Sequence, residues 1–222
     1  MANKLIISHK NQFIFIKTSK TAGSSIEVFL SKACGSGDVI TPIYPEVKGH
    51  IPRNYTGYFN PIPEVFSGLP IKSTISNFLY RKKFYNHITG LEIRNRVSKT
   101  IWNNYYKFCF ERPTADKLIS LYRMLKERNV IGSVDEFIFR KYYTRVDNRR
   151  YYMSGSRCII DSILDFDNLH RDLDRVLKAC SIQLNVKHIP HIKRSSNIIS
   201  EDDVERLQLL GKELNYGNIP NR

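Results

Sequence analysis

Acidic residues are scarce in this 222-residue chain: 21 Asp and Glu stand against 35 Lys and Arg, for a net charge of +14. A field of that sign attracts polyanions, whether nucleic acid, acidic glycan, anionic membrane or phosphorylated cofactor, and does not choose among them. Cysteine is sparse too. Cys34, Cys109, Cys158 and Cys180 form no C-x-x-C pair and no Cys/His cluster at ligand spacing, so no metal site is expected and buried free thiols in a reducing compartment are. No stretch approaches the ~20 apolar residues of a membrane span, and the N-terminal segment lacks the unbroken apolar core of a secretory signal. These absences predict a soluble, cytoplasmic protein with no membrane span. Internal repeats and low-complexity tracts are missing, as is G-x-x-x-x-G-K-[ST], which disfavours ordinary NTPase chemistry.

What remains is ordinary for a globular protein: 41% hydrophobic and 25% charged residues, with aromatics at 12%. The length suits a single domain spanning residues 1–222. Two short apolar strands, Leu5 to Ile7 and Phe13 to Lys17, flank a polar turn and lead through a loop into an amphipathic helix from Gly23 to about Lys32. Residues 35–83 are rich in Gly, Pro, Asn and Tyr without a sustained period and read as an insertion carrying short elements. The Thr89–Glu92 spacing is that of a capping box, which starts a helix just after His87 and runs it to about Ser98. The aromatic run Tyr105 to Phe110 predicts a central strand, followed by a helix over Thr114 to Arg128. A second capping box at Ser133 and Glu136 opens a helix to about Tyr143. Thr144 to Arg157 reads as loop, Cys158 to Leu164 as strand. Asp167 and Ser200 are expected to cap the last two helices. Alternating strands and helices predict an α/β fold, a three-layer sandwich with a mainly parallel central sheet flanked by helices.

Two segments carry chemistry. In Lys17-Thr18-Ser19-Lys20-Thr21-Ala22-Gly23-Ser24-Ser25, a strand passes into a helix. Backbone N–H groups at such a turn, with two hydroxyls and a lysine beside them, suit a phosphate-like anion, although a polar loop capping a helix has the same composition. In Arg112-Pro113 to Ser120-Leu121-Tyr122, an arginine leaves a strand and a serine follows eight positions on, about two helical turns, on the same side. A guanidinium fork and a hydroxyl suit a second phosphate; an arginine at a strand end also serves as a surface ion pair.

Together these segments resemble the PAPS-dependent sulfotransferases, which use 3′-phosphoadenosine 5′-phosphosulfate (PAPS), and especially the carbohydrate branch with heparan sulfate 2-O-sulfotransferase-type motifs. Lys20, Thr21, Ala22, Gly23, Ser24 and Ser25 match the family's 5′-phosphosulfate loop. Arg112, Leu118, Ser120 and Tyr122 match its 3′-phosphate segment. His87 through Arg94, then Trp102, resemble the histidine-before-helix segment, and Ile163 to Leu169 its later strand-to-helix step. The chain departs at Ser19, Ser24, Lys117 and Asp167, where the family usually has Pro, Thr, Arg and Glu, and Pro113 stands one position early. Residues 35–83 have no counterpart.

The resemblance implies a P-loop-NTPase-like fold and sulfuryl transfer from PAPS to a hydroxyl by in-line displacement, releasing 3′-phosphoadenosine 5′-phosphate, and the family branch implies a carbohydrate acceptor. It implies His87 as general base, Lys20 as stabiliser of the charge on the bridging oxygen, and Lys193 and Ser195 as further cofactor contacts. His50 in the insertion is the competing base. Arg81-Lys82-Lys83 and Arg149 to Tyr152 could meet a small-molecule or glycan acceptor, or simply solubilise the surface. The rival from another class is a non-enzymatic, basic nucleic-acid-binding protein, which the +14 charge and interleaved Arg and Tyr would suit; the sulfotransferase reading expects no specific nucleic-acid binding.

Overall fold

The computed structural model describes residues 5–85, 88–190 and 199–214. Strand β1 (Leu5–Ser8) forms a hairpin with β2 (Phe13–Ile16), and helix α1 (Gly23–Ser31) follows. The insertion holds β3 (Val39–Ile40), α2 (Ile62–Phe66) and α3 (Ile71–Leu79). Next come α4 (Gly90–Arg96), α5 (Lys99–Asn104), β4 (Tyr106–Glu111), α6 (Thr114–Glu127) and α7 (Val134–Phe139). A short 3-10 turn leads to α8 (Arg149–Tyr152), a small hairpin of β5 (Met153–Ser154) and β6 (Arg157–Cys158), then β7 (Ser162–Asp165), α9 (Leu169–Ala179) and α10 (Glu201–Leu214).

The central sheet has the order β3-β1-β2-β4-β7. Pairing is parallel across β2, β4 and β7 and antiparallel where β1 meets β2 and β3. The sheet is therefore mixed, with its parallel half where strand and helix alternate, and its antiparallel half where the short polar turn of residues 9–12 closes a hairpin. Alternating side chains separate the two faces. Leu5, Ile7, Ile14, Ile16 and Cys109 pack under Ile93 of α4, Trp102 of α5 and the tyrosines of α8. Ile6, Phe13, Phe15, Phe108 and Phe110 pack under α1 and α9. Helices thus cover both faces, giving three layers. A third apolar cluster joins α6, α7 and α10.

Three connections matter for function: β2 to α1, β4 to α6 and β7 to α9. Because these strands are parallel neighbours, their carboxyl ends and the turns after them lie along one edge, where open α/β sheets bind ligands.

Local capping follows the sequence in most places. Thr89 and Glu92 make the reciprocal capping box, and the Ser98 and Ser133 side chains cap α5 and α7. The expected strand over Cys158 to Leu164 divides instead into β6 and β7, because Asp161 turns back to β4: its N–H donates to the Lys107 carbonyl and its carboxylate accepts from the Lys107 N–H. At α9 the cap position falls on Asn168 rather than Asp167, with no side-chain cap bond. The predicted helix after Ser133 stops at Phe139, where Lys141 takes a left-handed backbone. All four cysteines are free, and burial pushes the Cys34 and Cys180 thiols up to about 12 and about 11. No helix among the described residues is long and apolar enough to cross a membrane.

Candidate active site

The turn after β2 is held from three sides. Thr18 donates its hydroxyl to the Phe110 carbonyl of β4 and lies 2.8 Å from the Thr21 hydroxyl. Asn148, in the segment expected to be loop, grips Ser19 at both backbone groups: its Oδ1 accepts the Ser19 N–H at 2.8 Å and its Nδ2 donates to the Ser19 carbonyl at 3.2 Å. The same Nδ2 donates to Glu111 Oε1 at 2.9 Å. Glu111 is buried at the end of β4, where Lys117 Nζ reaches it at 2.8 Å and the Tyr152 hydroxyl at 3.1 Å. A buried carboxylate with a lysine and two hydrogen-bond donors is satisfied as such groups must be. Burial and the Glu111 charge raise the Tyr152 phenol above its ordinary range, keeping it a donor. Asn148 and Glu111 therefore tie the turn after β2 to the turn after β4.

Within the first turn Lys20 and Ala22 adopt left-handed backbone at φ 64° and 49°, with Thr21 ordinary between them. Alternation of hand over successive residues turns N–H groups toward a common point, the geometry of an anion nest. Such conformations cost non-glycine residues about 1–2 kcal/mol each, so the surrounding bonds must hold them. Helix α1 starts directly after Ala22 with no side-chain cap and no acid in its first turn, leaving its positive end open to an anion. Gly23 answers a different need. A Cβ there would collide with Cγ, Cδ and Cε of Lys17, whose buried stem crosses the glycine and delivers its ammonium 2.8 Å from the Ser24 hydroxyl.

Behind the turn lies a buried acid. Glu27 on α1 is fully enclosed, 3.9 Å from Lys17 Nζ and 3.8 Å from His50 Nε2. His50 comes from the insertion, with its ring buried and Nε2 2.9 Å from the Thr41 carbonyl. A carbonyl only accepts, so that nitrogen carries the hydrogen.

At the second turn Arg112 extends beside Asp116, 3.6 Å away, with its guanidinium 4.9 Å over the Phe166 ring that follows β7. Along α6, Asp116, Ser120 and Arg123 recur at i, i+4 and i+7, on the opposite side from core residues Leu118, Leu121, Tyr122 and Leu125. The Nε atoms of both Arg112 and Arg123 are buried and meet no hydrogen-bond acceptor among the described residues. Asp116 stands just beyond hydrogen-bond reach of Arg112 Nε, so each of these buried donors has capacity for an oxyanion. Lys20 reaches across from the first turn, its Nζ 3.7 Å from Met124 Sδ, one helical turn beyond Ser120.

Lys20, Thr21, Ala22, Gly23, Ser24 and Ser25 thus follow the carboxyl end of β2, Arg112 follows that of the adjacent β4, and Ser120 lies farther along α6. His87, Lys193 and Ser195 lie outside the described residues. Lys17, Glu111, Asn148 and Arg123 were not singled out from sequence. Asn148 is 129 residues from Ser19, so no spacing could reveal it; Arg123 had a detectable signal, a helical repeat with Ser120.

No family model matches the chain. A solved structure described as a sulfotransferase from Alicyclobacillus acidocaldarius is similar over 90% of each chain, at 16% identity and a TM-score of 0.44. An uncharacterized protein of Archaeoglobus fulgidus is 33% identical over 95 residues, which are 40% of this chain and 79% of that one. By that identity and span, the chain belongs to one family with the uncharacterized archaeal protein.

Proposed function

We propose that the protein is a sulfotransferase that uses PAPS to sulfate a hydroxyl, with a carbohydrate as the acceptor. The observation that carries this is the pair of strand-to-helix turns on adjacent parallel strands, one with alternating-hand backbone around Lys20, the other followed by a helix along which the buried Nε atoms of Arg112 and Arg123 meet no hydrogen-bond acceptor among the described residues. A nucleotide bearing groups at both its 5′ and 3′ positions needs two such sites. ATP needs one, with a lysine and hydroxyl pattern that this loop lacks.

In this reading the backbone of residues 20–25 and the Ser24 and Ser25 hydroxyls hold the 5′-phosphosulfate, while Arg112 and Ser120, joined by Arg123, hold the 3′-phosphate. Lys193 and Ser195 remain further proposed contacts. When bound, PAPS supplies the sulfuryl group: the acceptor oxygen bonds to sulfur as the sulfur–oxygen bond to the 5′-phosphate breaks, and 3′-phosphoadenosine 5′-phosphate leaves. Lys20 neutralises charge near the bridging position, a preorganised electrostatic role. His87 takes the acceptor proton, since an imidazole titrates near neutral pH. His50 is the alternative base, and its contact with the Thr41 carbonyl favours a structural role for it.

The test is transfer from radiolabelled PAPS to a panel of hydroxylated glycans. His87→Ala is expected to bind 3′-phosphoadenosine 5′-phosphate normally and to lose transfer. Loss with His50→Ala instead, at unchanged melting temperature, would reassign the base. Label reaching no hydroxyl acceptor, glycan or otherwise, would reject the function.

A further inference from the structure

The insertion turns an apolar ridge outward. On α3, Ile71, Ile75 and Leu79 recur every four residues and are all exposed, while Thr74 is the helix's buried residue. Ile62 and Phe66 of α2 extend the same exposed character, Phe66 at 87%. An isolated exposed leucine requires no explanation, but five large aliphatic or aromatic side chains on two consecutive short helices do.

The charge around the ridge indicates what covers it. From Val47 to Tyr85 there are six cations, Lys48, Arg53, Lys72, Arg81, Lys82 and Lys83, and one acid, Glu64. That acid is buried and committed to the Arg96 guanidinium and the Thr74 hydroxyl, so no carboxylate of this stretch faces solvent. Lys72 lies within the ridge, and Arg81 and Lys82 stand exposed directly beyond Leu79. Tyr80 stands exposed between Leu79 and Arg81, and the Lys82 ammonium lies 5.5 Å over its ring.

We infer that α2, α3 and the Arg81-Lys82-Lys83 corner form a docking surface for an anionic membrane leaflet. Aliphatic side chains enter the acyl boundary, tyrosine sits at the headgroup level, and flanking cations pair with lipid phosphates and carboxylates. A second copy fits less well, because a two-fold interface sets a patch against itself and would bring these cations together with no acid to separate them. Nucleic acid would use the cations but leave Ile71, Ile75 and Leu79 wet, since aliphatic chains offer no stacking platform.

The probe is cosedimentation of the full chain with phosphatidylcholine vesicles, with and without phosphatidylserine. Binding is expected only with the anionic lipid and is expected to weaken as salt rises. Ile75→Ser with Leu79→Ser, both exposed, should keep the circular dichroism and melting temperature while reducing the bound fraction at least about tenfold. Arg81→Glu with Lys82→Glu should do the same through charge, each cation being worth about fivefold. A Phe66→Trp reporter should show blue-shifted emission on binding. Equal binding to neutral vesicles, binding that survives both double variants, self-association without vesicle binding, or DNA binding in its place would each overturn the inference.

Discussion

The turn after β2 and the insertion between β3 and α4 are both irregular, and they are held in opposite ways. The turn has neighbours on every side: Thr18 bonds β4, Asn148 clamps Ser19, and Glu111 connects both to Lys117 and Tyr152. The insertion is pinned at a few separate points: the buried ion pair of Glu64 with Arg96, whose guanidinium also donates to the Lys82 and Lys83 carbonyls and stacks 3.9 Å over Phe59, and His50, buried 3.8 Å from Glu27. A site that must hold two left-handed residues against an anion needs the dense bracing. A segment whose outer face meets a partner needs only to be anchored along its inner one.

That contrast can be broken from either side. Glu64→Ala removes the carboxylate bonded to Arg96 Nε and leaves only Glu92, 3.5 Å from Nη2, and should cost up to about 3–5 kcal/mol of unfolding free energy. Urea melts should register the loss, while calorimetry on the folded protein should show unchanged affinity for 3′-phosphoadenosine 5′-phosphate. In the turn the pattern reverses for Lys20→Ala: transfer should fall by about 10²–10³-fold with little change in melting temperature. Asn148→Ala should affect both quantities, lowering stability by about 1–3 kcal/mol and weakening nucleotide binding, because Ser19 and Glu111 lose the same donor. If Asn148→Ala leaves nucleotide affinity intact, the two anion turns are not coupled through it.

The smallest expected effect lies where the insertion leaves the sheet. Burial raises the Asp38 carboxyl, but bonds from the Gly35 and Lys10 N–H groups, the Ser8 hydroxyl and the His9 N–H outweigh it, and the group is held below its ordinary 3.8. A lowered folded-state value stabilises the protein above the unfolded carboxylate range and loses that contribution as pH falls through the folded value. Wild type should therefore exceed Asp38→Asn in stability near neutral pH, with the gap closing below about 3.8. A gap independent of pH would place the effect in packing rather than charge.

Much of the core was legible because it is periodic. Phe13 to Ile16 and Tyr106 to Phe110 are apolar runs bounded by polar turns, and Thr89 with Glu92 names its helix start. The two turns proposed to hold anions stand out in the sequence as strand-to-helix junctions, one with a lysine and hydroxyls within five residues, the other with Arg112 and, eight positions on, Ser120. What escaped depends on distance in the chain. Asn148 acquires its role only when the fold brings it to Ser19, and β3 is two residues long, too short for any period. The outward ridge of α3 escaped for another reason: Ile71, Ile75 and Leu79 have the spacing of a core face, and spacing does not say which face meets the core.

The central claim, two phosphate sites built for a nucleotide carrying a 3′-phosphate, is tested most directly by titration calorimetry of the full chain with 3′-phosphoadenosine 5′-phosphate and, separately, ATP. The account predicts saturable heat with the former, weakened about 10–100-fold by Arg112→Ala as a charge-assisted contact is lost, and little heat with ATP. Heat with ATP alone, or binding indifferent to Arg112, would contradict it.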